Sequence, residues 1–245
     1  MDVTRIDPGL EGVPETLLWT LYHRALEARR PDAVLRDPDA VELVRRIDYP
    51  FAARFGTGGL AQAQALRVLA FDREVRRFLK RHPDGTVVAL GEGLETQSRR
   101  VDNGRVRWIG VDLPEAVEVR RRLLPDGPRH RAIACSVLDA AWMEEVDGGR
   151  GVLLTAQGLL MYVDPPGVHT VLERCAARFP GAGLVFDAVP RWLAAGGSPC
   201  RRAGRPPPWT WTLDRAERRR IATPGSVAIR RRSARASVQV QGGGR

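Results

Sequence analysis

Lysine is almost missing from this chain of 245 residues: Lys80 is the one lysine among 39 basic side chains, all the others being arginine. So lopsided a ratio reads as biased codon usage rather than a selected phosphate-binding surface. Cysteine is scarce too. Cys135, Cys175 and Cys200 are odd in number and widely spaced, which excludes a disulfide framework and a cysteine-based metal site. No run of about 18 apolar residues occurs, so no membrane-spanning helix is expected. The opening MDVTRIDPGLEG lacks the basic-then-apolar layout of a secretory signal, and a reducing cytoplasm is the expected setting. Histidine is limited to His23, His82, His130 and His169.

What is present first suggests nucleic acid, because the formal net charge is +10. Its location argues otherwise. Residues 215–245 hold nine arginines against the single acid Glu217, which leaves positions 1–214 nearly balanced. A charge run of that kind is usually a solvated segment, so nucleic-acid binding is not expected.

Positions 1–80 read as helices without strands. Leu17, Leu18, Leu21, Ala25 and Leu26 recur at helical spacing over 14–30. A second helix is expected from Pro31-Asp32 to about Arg46, then a loop, YPFAARFGTGG, then a helix over 60–81 stopped by His82-Pro83-Asp84-Gly85. The character then changes. TVVAL (86–90), VRWIGV (106–111), RAIACSV (131–137), GVLLTA (151–156) and GLVFDAV (183–189) read as strands, with helical stretches at 92–101, 114–124 and 165–179 between them. That alternation predicts an α/β fold with a mostly parallel, doubly wound sheet. The expected division is an N-terminal helical cap (1–82), a ligand-binding core (83–214) and an Arg-rich, partly disordered tail (215–245). Residues 194–208 read as a mobile loop. SVAI and ASVQVQ are candidate edge strands, and the arginines between them and the final GGGR are expected to be disordered.

The chemistry concentrates after the strands, where ligands bind in open parallel sheets. VVALGEGLETQ runs from a strand into Gly91-Glu92-Gly93 and on into a helix. Glycines let the backbone approach a ligand closely. The third glycine of a dinucleotide fingerprint is absent, Thr96 standing there, and Glu92 would repel phosphate. Both points favour S-adenosylmethionine over a pyrophosphate cofactor, and the turn Gly91, Glu92, Gly93 is the expected cofactor cradle. Asp112 ends the strand that follows this turn, where an acid can accept both ribose hydroxyls. A helix-capping role before Leu113-Pro114 is the alternative. Asp139, in CSVLDAAW, could meet an adenine amino group with Val137 and Leu138 flanking the ring, or could simply cap a helix. In TAQGLLMYV, Gln157 and Tyr162 are polar groups in an otherwise apolar stretch.

The string VVALGEGLETQSRRVDNGRVRWIGVDLPEAVEVRRRLLP, with LLTAQGLLMYV after it, resembles the leucine carboxyl methyltransferase superfamily, especially its bacterial branch linked to polyketide O-methylation. The likeness spans Arg67 to Pro190. It implies a class I, Rossmann-like methyltransferase using S-adenosylmethionine, with Gly91 and Gly93 in the donor-binding turn, Asp112 on the ribose and Asp139 on the adenine side. Arg67 falls where the family places an arginine on the donor carboxylate, and Tyr162 matches a tyrosine near the substrate. Departures are Glu95 for an aspartate, Gln97 for an arginine, and Gln157 for a glutamate, which removes a negative charge near the sulfonium. The family also completes its sheet with further strands, so the arginine-rich terminus implies an exposed sheet edge.

Methyl transfer from a sulfonium is an in-line displacement. A carboxylate acceptor, with a pKa of about 4, is already ionised at neutral pH, whereas a phenol near 10 needs a base. No histidine lies in a donor motif, although His23 could sit on a helical lid. The expected activity is O-methylation of a small-molecule carboxylate or hydroxyl, with no metal. The alternatives are a catalytically weakened binding protein of the same fold and an NAD-dependent oxidoreductase.

Overall fold

The computed structural model describes residues 5–189, 209–214, 227–232 and 235–241. Four helices come first: α1 (Thr16–Ala28), α2 (Pro38–Arg46), α3 (Phe51–Phe55) and α4 (Ala61–Arg81). The apolar stripe of α1 buries Leu18, Leu21 and Ala25 completely. Helix α2 starts later than Pro31-Asp32 suggested. Its start is Asp37-Pro38, where the Asp37 carboxylate accepts from the Ala40 amide at 3.1 Å and Pro38 fills the first turn. The segment read as a loop closes one helical turn, α3, because its aromatics find partners. Phe51 stacks on Tyr22 and Phe55 on Tyr49, with ring centroids 5.2 and 5.6 Å apart.

Five parallel strands follow: β1 (Thr86–Leu90), β2 (Arg107–Asp112), β3 (His130–Ala134), β4 (Val152–Ala156) and β5 (Gly183–Ala188). Helices α5 (Gln97–Arg100), α6 (Pro114–Leu123), α7 (Ala141–Glu144) and α8 (Pro165–Arg178) connect them. Strands β1 and β4 are buried throughout, which is why their sequences are continuous apolar runs. Alternate residues feed two cores. Val88, Leu90, Ile109, Val111 and Phe186 face Trp142 of α7 and Val168 and Val171 of α8. Val87, Ala89, Trp108 and Val185 face Phe71, Val75 and Phe78 of α4.

The C-terminal strands correct one expectation. β6 (Val227–Arg232) and β7 (Arg235–Gln241) pair with each other antiparallel, and β7 pairs antiparallel with β5. The sheet order is β3-β2-β1-β4-β5-β7-β6. Arginines expected as disorder thus run inside β6 and open β7, and β5 is not an exposed edge. The reading of SVAI and ASVQVQ as strands was the better guide. The loop 194–208 and the final GGGR lie outside the described residues. Strand order reverses between β1 and β4, and in such sheets the crevice beyond the carboxyl ends at that point is the ligand site.

Candidate active site

A cavity of about 260 Å³ opens at that switch point. Its floor is the turn after β1. Gly91 and Gly93 have φ of 63° and 51°, a left-handed backbone that disfavours side chains. A Cβ on Gly91 would stand 2.9 Å from Leu159 Cδ1, and one on Gly93 would stand 3.1 Å from Leu17 Cβ. Asp112, at the end of β2, sits over the turn. Its Oδ2 accepts from the Gly93 amide at 2.7 Å and its Oδ1 from the Leu113 amide at 2.8 Å. Burial pushes its pKa up to about 6 against those two amides, and the neighbouring Glu92 charge adds to the rise.

Glu92 does not serve the cavity with its side chain. The carboxylate turns beneath the floor and its side chain is 2% exposed, with Oε2 3.0 Å from Arg120 Nε and 3.2 Å from His130 Nε2. Trp108 Nε1 donates to Oε1 at 2.7 Å. Only the Glu92 backbone belongs to the cradle. A charge with three polar partners under the turn is more favourably placed than one facing a ligand. Arg120, which the sequence did not single out, fixes the turn from below by donating to the carbonyls of Gly93 (2.7 Å) and Glu95 (2.9 Å). Room for this arrangement comes from Gly110, where a Cβ would stand 1.9 Å from Glu92 Oε2. Gly110→Ala is therefore expected to lose about 1–3 kcal/mol of stability from overpacking and to weaken donor binding. Denaturant unfolding checks the first and calorimetry the second, and a variant matching the parent in both would separate Glu92 from the cradle.

Asp139 also departs from its assigned place. It is exposed and outside the cavity lining, and its Oδ1 accepts from the Ala141 amide at 2.9 Å. Asp139 stands one residue before the N-cap, Ala140, and its Asx turn leads the chain into α7, which is close to the helix-start alternative. Ser136, Val137 and Leu138 line the cavity instead. Ser136 was missed because a serine inside a stretch that reads as strand carries no signal of its own.

After β4, Gln157 and Gly158 form the far wall, with Arg67 of α4 beside them. Arg67 Nη1 is 3.2 Å from Asp187 Oδ2, and Asp187 Oδ1 accepts from the Gly158 amide at 2.6 Å. Among the described residues, Arg67 Nε and Gln157 Oε1 are buried with no hydrogen-bond partner. Tyr162 lies on the wall at the end of a 3₁₀ turn, Leu160–Tyr162. Thr210 holds that turn from outside, its amide donating to Met161 O and its hydroxyl to Val163 O, both at 2.8 Å. Val13, Pro14, Thr16, Leu17 and Thr20 at the start of α1 close the opposite side. His23 is not in the lining. It is buried, 2.8 Å from Trp19 O, and burial lowers its pKa, so it is neutral.

Sequence reasoning also missed a charge network behind the turn. Arg24 donates to Asp37 (2.6 Å), Thr96 (2.8 Å) and Leu94 O (2.7 Å), and stands 3.1 Å from Glu95. Arg100 meets Asp37 (2.9 Å), Asp72 (3.0 Å) and Glu95 (2.8 Å). Burial pushes the Glu95 pKa up, but the two guanidiniums outweigh it and bring it down to about 2. The network ties α1, α2 and α4 to the segment after β1. The one forewarning was LETQSRR, whose arginines crowd a short polar helix.

A larger cleft of about 550 Å³ lies at the other end of the sheet, at the amino ends of β4 and β5. Its Arg77 is paired with Glu74, and Arg178 with Glu144. It also sits between the carboxyl ends of α4 and α8, where arginines complement helix dipoles. Strand polarity and the converging polar atoms make the smaller cavity the candidate site.

A family model for leucine carboxyl methyltransferase matches residues 18–176. The chain belongs to that family. It is 40% identical over 185 residues to the tetracenomycin polyketide synthesis O-methyltransferase TcmP of Streptomyces glaucescens, covering 75% of this chain and 68% of that one. It is 30% identical over 212 residues to an S-adenosyl-L-methionine-dependent methyltransferase, dpfgK, of Gibberella zeae, covering 77% and 71%. Among solved structures, a DUF574 family protein from Streptomyces avermitilis superposes with a TM-score of 0.57 at 15% identity, covering 91% of this chain and 97% of that one, a likeness of fold alone. The leucine carboxyl methyltransferase homologue is thus an enzyme of class I fold whose methyl donor is S-adenosylmethionine. Family membership sets aside the NAD-dependent oxidoreductase. Among the described residues no helix is long and apolar enough to cross a membrane.

Proposed function

We propose that this enzyme methylates a carboxylate oxygen of an aromatic, polyketide-type small molecule. One observation carries the reading. The cavity at the β1/β4 switch point gathers Gly91, Gly93, Asp112, Arg67, Gln157 and Tyr162 on its walls. The residues fit the donor: two left-handed glycines open the floor, and two buried polar atoms, Arg67 Nε and Gln157 Oε1, await partners. Asp112 would accept the ribose hydroxyls, Arg67 would hold the α-carboxylate through charge-assisted bonds, and Val137 and Leu138 would flank the adenine.

S-adenosylmethionine, when bound, supplies an electrophilic methyl on a sulfonium. With the donor held by Asp112 and Arg67, an acceptor oxygen would take that methyl in line, a C–O bond replacing the C–S bond and a neutral thioether leaving. The protein's part is alignment and water exclusion, worth up to roughly 7–11 kcal/mol in intramolecular models. Leu17, Leu159 and Val163 keep the reacting end dry, and Tyr162 orients the acceptor. A carboxylate is favoured over a phenol because, among the described residues, the lining holds no uncommitted base. Its carboxylates are Glu92, buried below the floor, Glu95, paired with arginines, and Asp112, on the ribose side. The TcmP similarity supports the polyketide class. A cytoplasmic location and a diffusible acceptor rather than nucleic acid belong to the same reading, since positions 1–214 are nearly balanced in charge.

Labelled donor and a panel of aromatic carboxylic acids and phenols test this. The expected product is an alkali-labile methyl ester; label found only in alkali-stable aryl ethers would sink the carboxylate assignment. Tyr162→Phe is expected to lower kcat/KM by about tenfold, the scale of one hydrogen bond, with donor affinity unchanged. Unaltered turnover would remove Tyr162 from the acceptor's surroundings.

A further inference from the structure

Helix α1 turns two faces to different surroundings. Leu18, Leu21 and Ala25 are fully buried on one. Thr16, Leu17 and Thr20 share another at helical spacing; they are half-buried and line the cavity. A threonine hydroxyl has one hydrogen to donate and two lone pairs to accept with. Here both hydrogens stay within the helix. Thr16 Oγ1 donates to Val13 O at 2.6 Å and Thr20 Oγ1 to Leu17 O at 2.9 Å, the local back-bond open to this residue type. Lone pairs alone are left for a ligand. The remaining side chains of this wall, Val13, Pro14 and Leu17, are apolar. Among the described residues, the carboxylates of the lining are Glu92, Glu95 and Asp112, none of them on α1. Glu15, between Pro14 and Thr16, is outside the lining and is held by Arg54 and Tyr49.

A wall of this kind selects by hydrogen-bond sense. A carboxylate against it would set lone pairs against lone pairs, and an ammonium would be desolvated without a counter-charge. A neutral O–H meets neither cost. We infer that Thr16 and Thr20 form a hydroxyl subsite for the methyl acceptor, with Thr20, whose hydroxyl is the more enclosed, as the principal hydrogen-bond acceptor. The substrate class is then an aromatic carboxylic acid that also bears a free hydroxyl. The inference rests on the carboxylate-acceptor reading of the cavity. Thr20 touches the acceptor but takes no part in the bond changes, so it sets specificity rather than rate of chemistry. An order of reactions follows. Alkylation of that hydroxyl removes its hydrogen and leaves only lone pairs to face Thr20, so this enzyme acts before any reaction that methylates the same hydroxyl.

The ring isomers of hydroxynaphthoic acid, the methyl ether of each, and unsubstituted naphthoic acid test this on the full chain. Ester formation is followed with labelled donor, and acid binding to the protein loaded with S-adenosylhomocysteine by calorimetry. For at least one isomer, kcat/KM is expected to exceed that of naphthoic acid and that of its own methyl ether by about fivefold or more, the scale of one hydrogen bond. Thr20→Val, which removes the oxygen and keeps the branched shape, is expected to abolish that preference, and Thr20→Ser to retain it, with S-adenosylhomocysteine affinity unchanged in both. A merely structural role would instead lower the isomer, its ether and naphthoic acid together. The comparison of hydroxyl with ether in the parent needs no variant, so it reports even if Thr20→Val fails to fold. No isomer preferred over both its controls overturns the assignment, as does a preference intact in Thr20→Val. A loss of S-adenosylhomocysteine affinity in Thr20→Val gives the threonine to the donor and overturns it too. Neither ester formation nor binding of any acid by the parent would overturn the carboxylate reading itself, and this inference with it.

Discussion

Asp112→Ala is expected to raise the dissociation constant for S-adenosylhomocysteine by about two to four orders of magnitude. Hydrogen bonds to a charged group contribute about 1.5–3 kcal/mol each, two ribose hydroxyls are in question, and every 1.4 kcal/mol is tenfold. The pH dependence is the sharper signature. In the ligand-free protein burial sets the Asp112 pKa at about 6. Below that pH the carboxyl is protonated and loses acceptor capacity, so protons compete with the donor. Affinity should fall by about tenfold per pH unit below 6, and Asp112→Asn should flatten that slope. For stability the sign is opposite. An acid whose folded pKa lies above its unfolded value disfavours its ionised form in the fold, a penalty present above pH 6 and gone below about 4. Ligand-free Asp112→Asn escapes that penalty at pH 7 but turns an NH2 toward one of the two backbone amides, Gly93 or Leu113, so its stability should be lower than the parent's at pH 4 and closer to it at pH 7. Donor affinity independent of pH between 5 and 7, with Asp112→Ala binding like the parent, would falsify the ribose role.

The second large effect is Arg24→Met. Arg24 is 1% exposed and joins α1 to Asp37 before α2, to Leu94 in the turn segment and to Glu95 on the cavity wall. Removing one partner from a buried ionic cluster costs about 3–5 kcal/mol, because the others keep their desolvation penalty. For a chain of this size that is a fall in Tm of roughly 6–20 °C. The acid limb should change as well. Glu95 is held at about 2 against an ordinary value of 4.5, so its contribution to stability is present above pH 4.5 and lost as pH falls toward 2. Arg24→Met should remove much of that dependence. Arg24→Lys, which keeps the charge but not the fork, should recover part of the stability. Thermal unfolding between pH 3 and 7 measures both, and a Tm within 2–3 °C of the parent would show the network to be dispensable.

Both effects show where a reading of residues in order reaches its limit. Asp112 was legible because its position follows from one strand and one spacing. Arg24 was not, because its partners Leu94, Glu95 and Thr96 belong to a distant part of the chain and nothing local distinguishes a buried arginine among so many. Glu92 and Asp139 were misplaced for a related reason. A turn residue can point toward a ligand or beneath the floor, and an aspartate after a strand can face a pocket or hold the next helix. Gly110, buried in the middle of β2 beneath Glu92, decides the first case, and the Ala141 amide decides the second.

The sequence by itself determined the alternation of strands and helices, the glycine turn after β1, the acid ending β2 and the family, because apolar period, left-handed glycines and motif spacing are local properties. Tertiary structure alone decided which acids face the cavity, which are paired with arginines behind the turn, and that arginine-rich C-terminal residues close the sheet beside β5. Those outcomes depend on which side chains are brought together and desolvated, and desolvation is set by neighbours distant in the chain.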